Sequence, residues 1–236
     1  MTAQRVVISG ANRGLGLELA RVYAERGDTV VAGCRRPDDA HELGVLTVDV
    51  HELDVGSEES IERFAAAIGS APIDVLINNA GVDGRALGVA DDERDVLQLS
   101  AEHVIDEIRI NAIGPMLLSR ALLDALRDAA NPRIVNVSSM VGSMEVARSI
   151  GRDVGYVTSK AALNMITVKL AGRLADDGIV AVAVHPGLLR TAIATPRGGD
   201  LEDPAVGAAE LVALIDRLTI EQSGSFLRRD GTVHPW

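Results

Sequence analysis

The chain has 236 residues, of which 47% are hydrophobic and only 2% aromatic, and its formal net charge at pH 7 is -11. This length allows a sizeable core, and α/β folds of this size are routinely single domains, so we expect one domain over residues 1–236. The negative charge opposes sequence-independent binding to nucleic acid or anionic lipid, and neither is expected as a partner.

Cysteine content and hydropathy restrict the chemistry and the compartment. Cys34 is the only cysteine, so neither an internal disulfide bond nor a cysteine-cluster metal site can form, and no metal is expected. The sequence has no run of eighteen apolar residues and no signal-peptide pattern at its start. We therefore expect a soluble, cytoplasmic protein.

Short β-branched runs alternate with longer segments of helical periodicity. This pattern predicts a doubly wound α/β fold, in which helices cover both faces of a mostly parallel, seven-stranded sheet (a Rossmann fold). The predicted strands are residues 5–9, 29–34, 45–50, 73–77, 133–138, 179–184 and 224–228. The predicted helices are residues 14–26, 57–68, 101–128, 156–176 and 205–218. Two segments, 82–94 and 192–204, are predicted loops, and the second is the candidate lid of a binding crevice.

Three glycines, Gly10, Gly14 and Gly16, follow the first predicted strand directly and open the first predicted helix, in SGANRGLG at residues 9–16. Without side chains at these positions, backbone amides can approach a pyrophosphate at the positive end of the helix. The spacing GxxxGxG differs from the common GxGxxG, and a tight turn without a ligand is the alternative. The strand-to-helix context favours a dinucleotide site.

The end of the second predicted strand indicates which dinucleotide binds. NAD enzymes usually place an acidic residue there for the ribose 2′-hydroxyl, whereas arginine suits the 2′-phosphate of NADP. In this chain Cys34 occupies that position and Arg35 follows it, and Arg13 could close on the same phosphate from the other side. We therefore expect NADP(H) as the cofactor, with NAD(H) less favoured; solvated arginines without a ligand are the alternative.

Tyr156 and Lys160 are four residues apart in YVTSK, so they share one face of a predicted helix. The Lys160 ammonium group can then favour the ionised phenol of Tyr156, lowering its pKa from about 10 toward neutrality, where the phenol serves as both acid and base. An isolated YxxxK pattern is weak evidence, because most such pairs are solvated or lie along a core. Here it follows a predicted cofactor site, which favours a hydride-transfer enzyme.

The glycine turn, NNAG at residues 78–81, IVNVSS at 134–139 and YVTSK together resemble the short-chain dehydrogenase/reductase family, and the resemblance covers almost the whole chain. The interval from Ser139 to Tyr156 is longer than in many family members. It is similar to the branch that contains the C-factor signalling protein and the sniffer carbonyl reductase. KAALN at 160–164 and HPG at 185–187 are also similar to that branch.

The resemblance implies catalytic roles for four residues. Ser139, rather than its neighbour Ser138, would hold the substrate carbonyl, and Tyr156 would exchange the proton. Lys160 would lower the phenol pKa and hold the nicotinamide ribose. Asn111 would help to hold a water-linked proton path to Lys160.

Cofactor contacts are also implied by the resemblance. Asp54 would contact the adenine ring, and Asp49 competes for that role because it too precedes a valine. The full implied set is Gly10, Asn12, Arg13, Gly14, Leu15, Gly16, Arg35, Asp54, Val55, Asn79, Ala80, Gly81, Tyr156, Lys160, Pro186, Gly187 and Thr191.

We therefore expect an NADP(H)-dependent oxidoreductase that interconverts a small carbonyl compound and its alcohol. The alternative is an NADPH-binding signalling or scaffold protein with little turnover. A nucleotide-sugar epimerase, which shares the YxxxK pattern, is disfavoured because no substrate domain follows the last predicted strand. The resemblance further implies a homodimer or homotetramer that pairs through the helices containing Asn111 and Tyr156.

With so few aromatic residues, aliphatic side chains are the candidates for the substrate pocket. These candidates are Met140, Val141, Met144, Leu188 and Ile193. His185, beside a proline at a strand end, is predicted to be structural, and the acidic residues within 91–95 are predicted to form a solvated loop face.

Overall fold

The computed structural model describes residues 3–193 and 200–236. In these ranges the chain forms a seven-stranded sheet in the order β3-β2-β1-β4-β5-β6-β7, with every neighbouring pair parallel. The strands are β1 (Arg5–Ser9), β2 (Thr29–Cys34), β3 (Asp49–Glu52), β4 (Val75–Asn78), β5 (Arg133–Val137), β6 (Val180–His185) and β7 (Phe226–Arg228). The predicted doubly wound α/β fold is confirmed.

Helices cover both faces of the sheet. They are α1 (Gly14–Glu25), α2 (Glu58–Ile68), α3 (Ala101–Ile108), α4 (Gly114–Ala121), α5 (Leu123–Arg127), α6 (Met144–Ala147), α7 (Val154–Leu174) and α8 (Pro204–Asp216). Side chains alternate along each strand, so Val6 and Ile8 pack into the core beneath α1 and α8, whereas Val7 packs beneath α2, α4 and α7. No helix within the described ranges is long and apolar enough to cross a membrane.

The predicted helix over residues 101–128 is wrong as a single element. It consists of α3, α4 and α5, with a π-helical turn at Arg109–Ile113 between α3 and α4. Pro115 has no N–H to donate to the carbonyl of Asn111, so the regular α-helical ladder is interrupted at this point. The interruption is fixed in place because Gly114 lies directly against the backbone of Val55.

The third strand begins later than predicted, at Asp49 rather than at residue 45. β3 is an edge strand that pairs only with β2 within the described sheet. The segment before it turns over the surface, and the Val45 side chain is 79% exposed. The apolar run that suggested an earlier start therefore does not belong to the sheet. The remaining strand and helix boundaries differ from the predicted ones by at most a few residues.

The order of the strands creates the binding crevice. β1 pairs with β2 on one side and with β4 on the other, and β4 pairs with β5, so the connections that leave β1 and β4 at the carboxyl edge run in opposite directions. Buried amides hold this edge together: Asn78 Nδ2 donates to Asn136 Oδ1 at 2.8 Å, and Asn136 Nδ2 donates to Thr167 Oγ1 at 2.8 Å. These bonds tie β4 and β5 to α7.

The first residues of both predicted loops lie beside this crevice, namely Val82 and, in the second loop, Ala192 and Ile193. The segment 82–94 has two 3-10 turns, Gly84–Leu87 and Asp92–Arg94, and otherwise no regular structure. The candidate lid, 192–204, includes residues 194–199, which lie outside the described residues. Its end is corrected by the structure, since α8 begins at Pro204.

Candidate active site

A cavity of about 690 Å³ opens at the carboxyl edge of the sheet. Its walls come from the loops after β1, β2, β3, β4, β5 and β6 and from the first turns of α7. Apart from Gly16 and Asn111, every predicted site residue lines this cavity. The tertiary structure therefore brings the predicted cofactor residues and the predicted catalytic residues to one place.

The glycine turn packs directly against the loop after β4. A Cβ atom on Gly10 would lie 2.8 Å from Cα of Ala80, and one on Gly16 would collide with the Gly10 carbonyl and lie 2.5 Å from Asn79 Nδ2. Gly10 and Gly14 also have positive φ angles of 67° and 55°. Gly16 does not line the cavity. Its lack of a side chain instead permits the close approach of α1 to the Gly10 carbonyl and the Asn79 amide.

The start of α1 faces the cavity without a side-chain cap. Arg13 occupies the N-cap position, and its side chain makes no capping hydrogen bond. The first amides of a helix lack partners within the helix and carry partial positive charge, so they suit a phosphate group. Asn79 holds the turn in position, because its Nδ2 donates to the carbonyls of Ser9 at 3.1 Å and Gly10 at 3.0 Å.

Two arginines line the cavity, one at the start of α1 and one directly after β2. Arg13 and Arg35 are both exposed, both line the cavity, and neither makes an ion pair with another described residue. Arg36 differs, because its Nε lies 3.2 Å from the Asp39 carboxylate. Cys34 is buried at the end of β2, and burial raises the pKa of its thiol.

Of the two competing aspartates, only Asp54 lines the cavity. Its Oδ1 accepts a hydrogen bond from the Gly56 N–H at 2.9 Å, which stabilises the turn before α2. Asp49 lies at the start of β3, where its carboxylate is 2.8 Å from His51 Nε2. The predicted contact of Asp54 with the adenine ring stays a prediction.

Tyr156 and Lys160 lie side by side at the start of α7. Tyr156 is 8% exposed and Lys160 is 4% exposed, and both line the cavity. The Lys160 ammonium group donates to the carbonyl of Val137 at 2.9 Å, which holds it against β5. Burial lowers the pKa of Lys160 to about 8, so the side chain is still mainly protonated at neutral pH.

The adjacent serines have different surroundings. Ser138 is buried, and its hydroxyl donates to Asn164 Oδ1 at 2.7 Å, so this hydroxyl joins β5 to α7. Ser139 is partly exposed and lies at the N-cap of the 3-10 turn Met140–Gly142, where its Oγ accepts from the Val141 N–H at 3.5 Å. Ser139 is therefore the more accessible of the two hydroxyls, and its contact with the substrate carbonyl stays a prediction.

Asn111 is fully buried behind the cavity, in the π-helical turn. Its Oδ1 accepts from the Val82 N–H at 2.8 Å, and its Nδ2 donates to the Val82 carbonyl at 2.8 Å and to Ser159 Oγ at 2.9 Å. It thus fixes the loop after NNAG to α7. Its predicted water-linked connection to Lys160 stays a prediction.

The inner wall is largely aliphatic. The predicted pocket residues Met140, Val141, Leu188 and Ile193 line the cavity. Met144 does not line the cavity, since it lies on α6 with 74% of its surface exposed, and this corrects the prediction. The wall also includes residues that the sequence did not single out, namely Val82, Ile110, Ile150, Asp153 and Val157. They share no spacing or motif that distinguishes them from core residues.

His185 lies at the end of β6 and lines the same cavity. Its ring centroid is 5.8 Å from that of His234. Burial, followed by the electrostatic effect of His234 and then of Arg228 and Arg229, lowers the pKa of His185 to about 4. The imidazole is therefore uncharged at neutral pH, and its predicted structural role stays a prediction.

This fold and this site define an α/β oxidoreductase. Residues 4–201 match the family model of the short chain dehydrogenases, and the chain belongs to that family. It is 37% identical over 178 residues to C-signal of Myxococcus xanthus, covering 75% of this chain and 100% of that protein.

Solved structures show the same relationship. The NADPH-bound carbonyl reductase from chicken fatty liver superposes with a TM-score of 0.89 at 29% identity, covering 100% of both chains. Carbonyl reductase Sniffer of D. melanogaster superposes with a TM-score of 0.87 at 27% identity, covering 99% of this chain and 100% of that one. The predicted family is confirmed, and these similarities agree with the predicted branch.

Proposed function

We propose that the protein is an NADP(H)-dependent carbonyl reductase that converts a small ketone or aldehyde to its alcohol, or catalyses the reverse reaction. The observation that carries the proposal is the convergence of Ser139, Tyr156 and Lys160 on the cavity that also contains the glycine turn. A protein that only binds the dinucleotide needs the glycine turn but not these three side chains.

The residues fit an NADP(H) molecule in chemical character. The uncapped start of α1 suits the pyrophosphate. The guanidinium groups of Arg13 and Arg35, which make no ion pair within the described part of the chain, suit the 2′-phosphate. Asp54 is available to the adenine ring, and Pro186, Gly187 and Thr191 also line the cavity. Thr191 lies beside the glycine turn, since a Cβ atom on Gly14 would be 3.4 Å from its Cγ2. When bound, the cofactor supplies the hydride and the protein supplies the proton.

In the proposed mechanism, Ser139 and Tyr156 donate hydrogen bonds to the substrate oxygen and orient the carbonyl group. As negative charge develops on that oxygen, the Tyr156 hydroxyl transfers its proton. The Lys160 charge stabilises the phenolate left behind, and its bond to the Val137 carbonyl keeps it in position during the transfer. The aliphatic wall excludes water, which strengthens these interactions.

The test is the decrease of NADPH absorbance with a panel of ketones and aldehydes. Tyr156→Phe should abolish turnover while NADPH still binds, because only the acidic hydroxyl is lost. Tyr23→Phe is the matched control: Tyr23 is fully buried in the core and its hydroxyl has no hydrogen-bond partner among the described residues, so its removal should leave turnover unchanged. Turnover that survives in Tyr156→Phe would refute the assignment of the proton donor.

A second candidate is an NADPH-binding signalling or scaffold protein, which the similarity to C-signal supports. In that case calorimetry should detect NADPH binding, whereas no carbonyl compound should be turned over.

We also propose a homodimer or homotetramer, supported by the exposed apolar side chains of Ile105 on α3 and Met165 on α7. Light scattering during gel filtration measures the assembly directly.

A further inference from the structure

A carboxyl group is buried beneath the first turn of the catalytic helix. Glu107, near the end of α3, is 4% exposed. A Cβ atom on Gly155 would collide with its Oε2, so the carboxyl group lies against the backbone of α7 beside Tyr156. The glycine at 155 is what permits this contact.

The groups around Glu107 include two other carboxylates, Asp83 in the loop after β4 and Asp153 at the start of α7. Both are themselves paired with cations: Arg85 binds Asp83, and Arg94, in the turn Asp92–Arg94, lies 3.5 Å from Asp153 and also faces Glu107. His103, also on α3, lines the same small cavity of about 10 Å³ as Glu107. Oε1 of Glu107 is buried without a hydrogen-bond partner among the described residues.

These surroundings oppose ionisation. Burial is the largest cause and the charges of Asp83 and Asp153 follow, so that the pKa of Glu107 is raised to about 7 despite the Gly84 N–H and Arg94. The carboxyl group therefore changes charge within the physiological range.

We propose that Glu107 is a positioning residue whose ionised carboxylate, packed under the helix turn that carries Tyr156, keeps the phenol protonated and ready to donate. A negative charge at this place opposes the formation of a second negative charge on Tyr156. Glu107 thus acts against Lys160, and the two together set the pH at which the phenol ionises. The inference rests on the proposed role of Tyr156.

The chain offers a direct readout, because it contains only two tyrosines, Tyr23 and Tyr156. Burial raises the pKa of Tyr23 far above its ordinary value. The near-ultraviolet absorbance of tyrosinate at moderately alkaline pH therefore reports Tyr156 alone, and Tyr156→Phe should remove the signal. This titration needs neither NADPH nor substrate. A result that contradicts the role of Glu107 can therefore be distinguished from a result that contradicts the proposed reaction.

In Glu107→Gln the midpoint of the tyrosinate titration should fall by about one pH unit, a tenfold increase in phenolate at a given pH. Glu102→Gln is the matched control, since Glu102 is an exposed glutamate on the same helix, and its midpoint should equal that of the wild type. Equal midpoints in Glu107→Gln and the wild type would overturn the proposal.

Glu107→Met serves if the glutamine variant does not fold, because an apolar side chain of similar length suits a buried position. It should lower the midpoint in the same direction. In the wild type, carbon-13 NMR of the glutamate carboxyl groups should show one that titrates near pH 7. The absence of such a resonance would also overturn the proposal.

Discussion

The ammonium nitrogen of Lys160 lies 5.7 Å from the centre of the Tyr156 ring. Residues four apart in a helix share a face, so the sequence spacing already brings these side chains together. The helix alone does not fix the position of the Lys160 ammonium group. The hydrogen bond from this group to the Val137 carbonyl does so, because it anchors the charge to the central sheet. The proton donor and its supporting charge thus form one unit.

Replacing Lys160 by methionine should lower the rate of carbonyl reduction by about 100-fold or more, because the phenolate loses its stabilising charge. The wild type carries that charge below the Lys160 pKa of about 8 and loses it as the pH rises through this value. Reduction by the wild type should therefore slow above about pH 8. Rates measured from pH 6 to 10 check this, and a rate in Lys160→Met equal to that of the wild type would contradict it.

Gly16→Ala should prevent NADPH binding and destabilise the protein, since the added methyl group meets the Gly10 carbonyl and the Asn79 amide. Gly172→Ala is the control: Gly172 is exposed in α7, and nothing lies within 4 Å of its added Cβ. That change should stabilise the protein by about 0.5–1 kcal/mol, because alanine favours the helix. Thermal unfolding measures the stability of the two variants, and titration with NADPH measures their affinity for the cofactor. Tight binding of NADPH by Gly16→Ala would contradict the proposed role of the glycine turn in cofactor binding.

Alanine at Arg13 or Arg35 should weaken NADPH binding by about tenfold and leave NADH binding nearly unchanged, because only NADPH carries the 2′-phosphate. Arg36→Ala is the control, since that side chain pairs with Asp39. Fluorescence titration with both dinucleotides measures the ratio of affinities. Equal losses for NADPH and NADH would show that these arginines do not read the phosphate.

Ser139→Ala should lower turnover by about tenfold to 100-fold with little change in stability, because a donor to the developing oxyanion is lost. Ser138→Ala should instead destabilise the fold by about 1 kcal/mol, since Asn164 loses its buried partner. Comparing kcat with the unfolding midpoint separates the two roles. The opposite pattern would assign the substrate hydroxyl to Ser138.

Glu107→Gln should flatten the pH dependence of stability. The folded state holds the Glu107 proton up to about pH 7, whereas the unfolded chain releases it near the ordinary glutamate value. Unfolding therefore releases a proton between these values, and wild-type stability should fall as pH rises toward 7, by about 3 kcal/mol at most. Denaturant unfolding at pH 5 and pH 8 measures this change in stability. If the free energy of unfolding changed equally in the wild type and in Glu107→Gln, Glu107 would be excluded as the source of the pH dependence.

The regular elements and the motif positions were predictable because they depend on local patterns. Apolar runs identified most strands, and the glycine turn and YVTSK each place their residues through a single turn or helix. The edge strand β3 and the broken helix over residues 101–128 were not predictable in this way. Their boundaries depend on pairing with β2 and on Pro115 and Gly114 meeting other parts of the chain.

The sequence by itself determined the class of fold, the glycine turn and the spacing of Tyr156 and Lys160. Only the tertiary structure decided that the Ser138 hydroxyl donates to Asn164 while Ser139 stays partly exposed, that Met144 lies outside the cavity, and that Glu107 lies under α7. Local spacing fixes which side chains share a face, because a helix or strand has a set period. Which face is buried, and against what, depends on contacts between segments far apart in the chain.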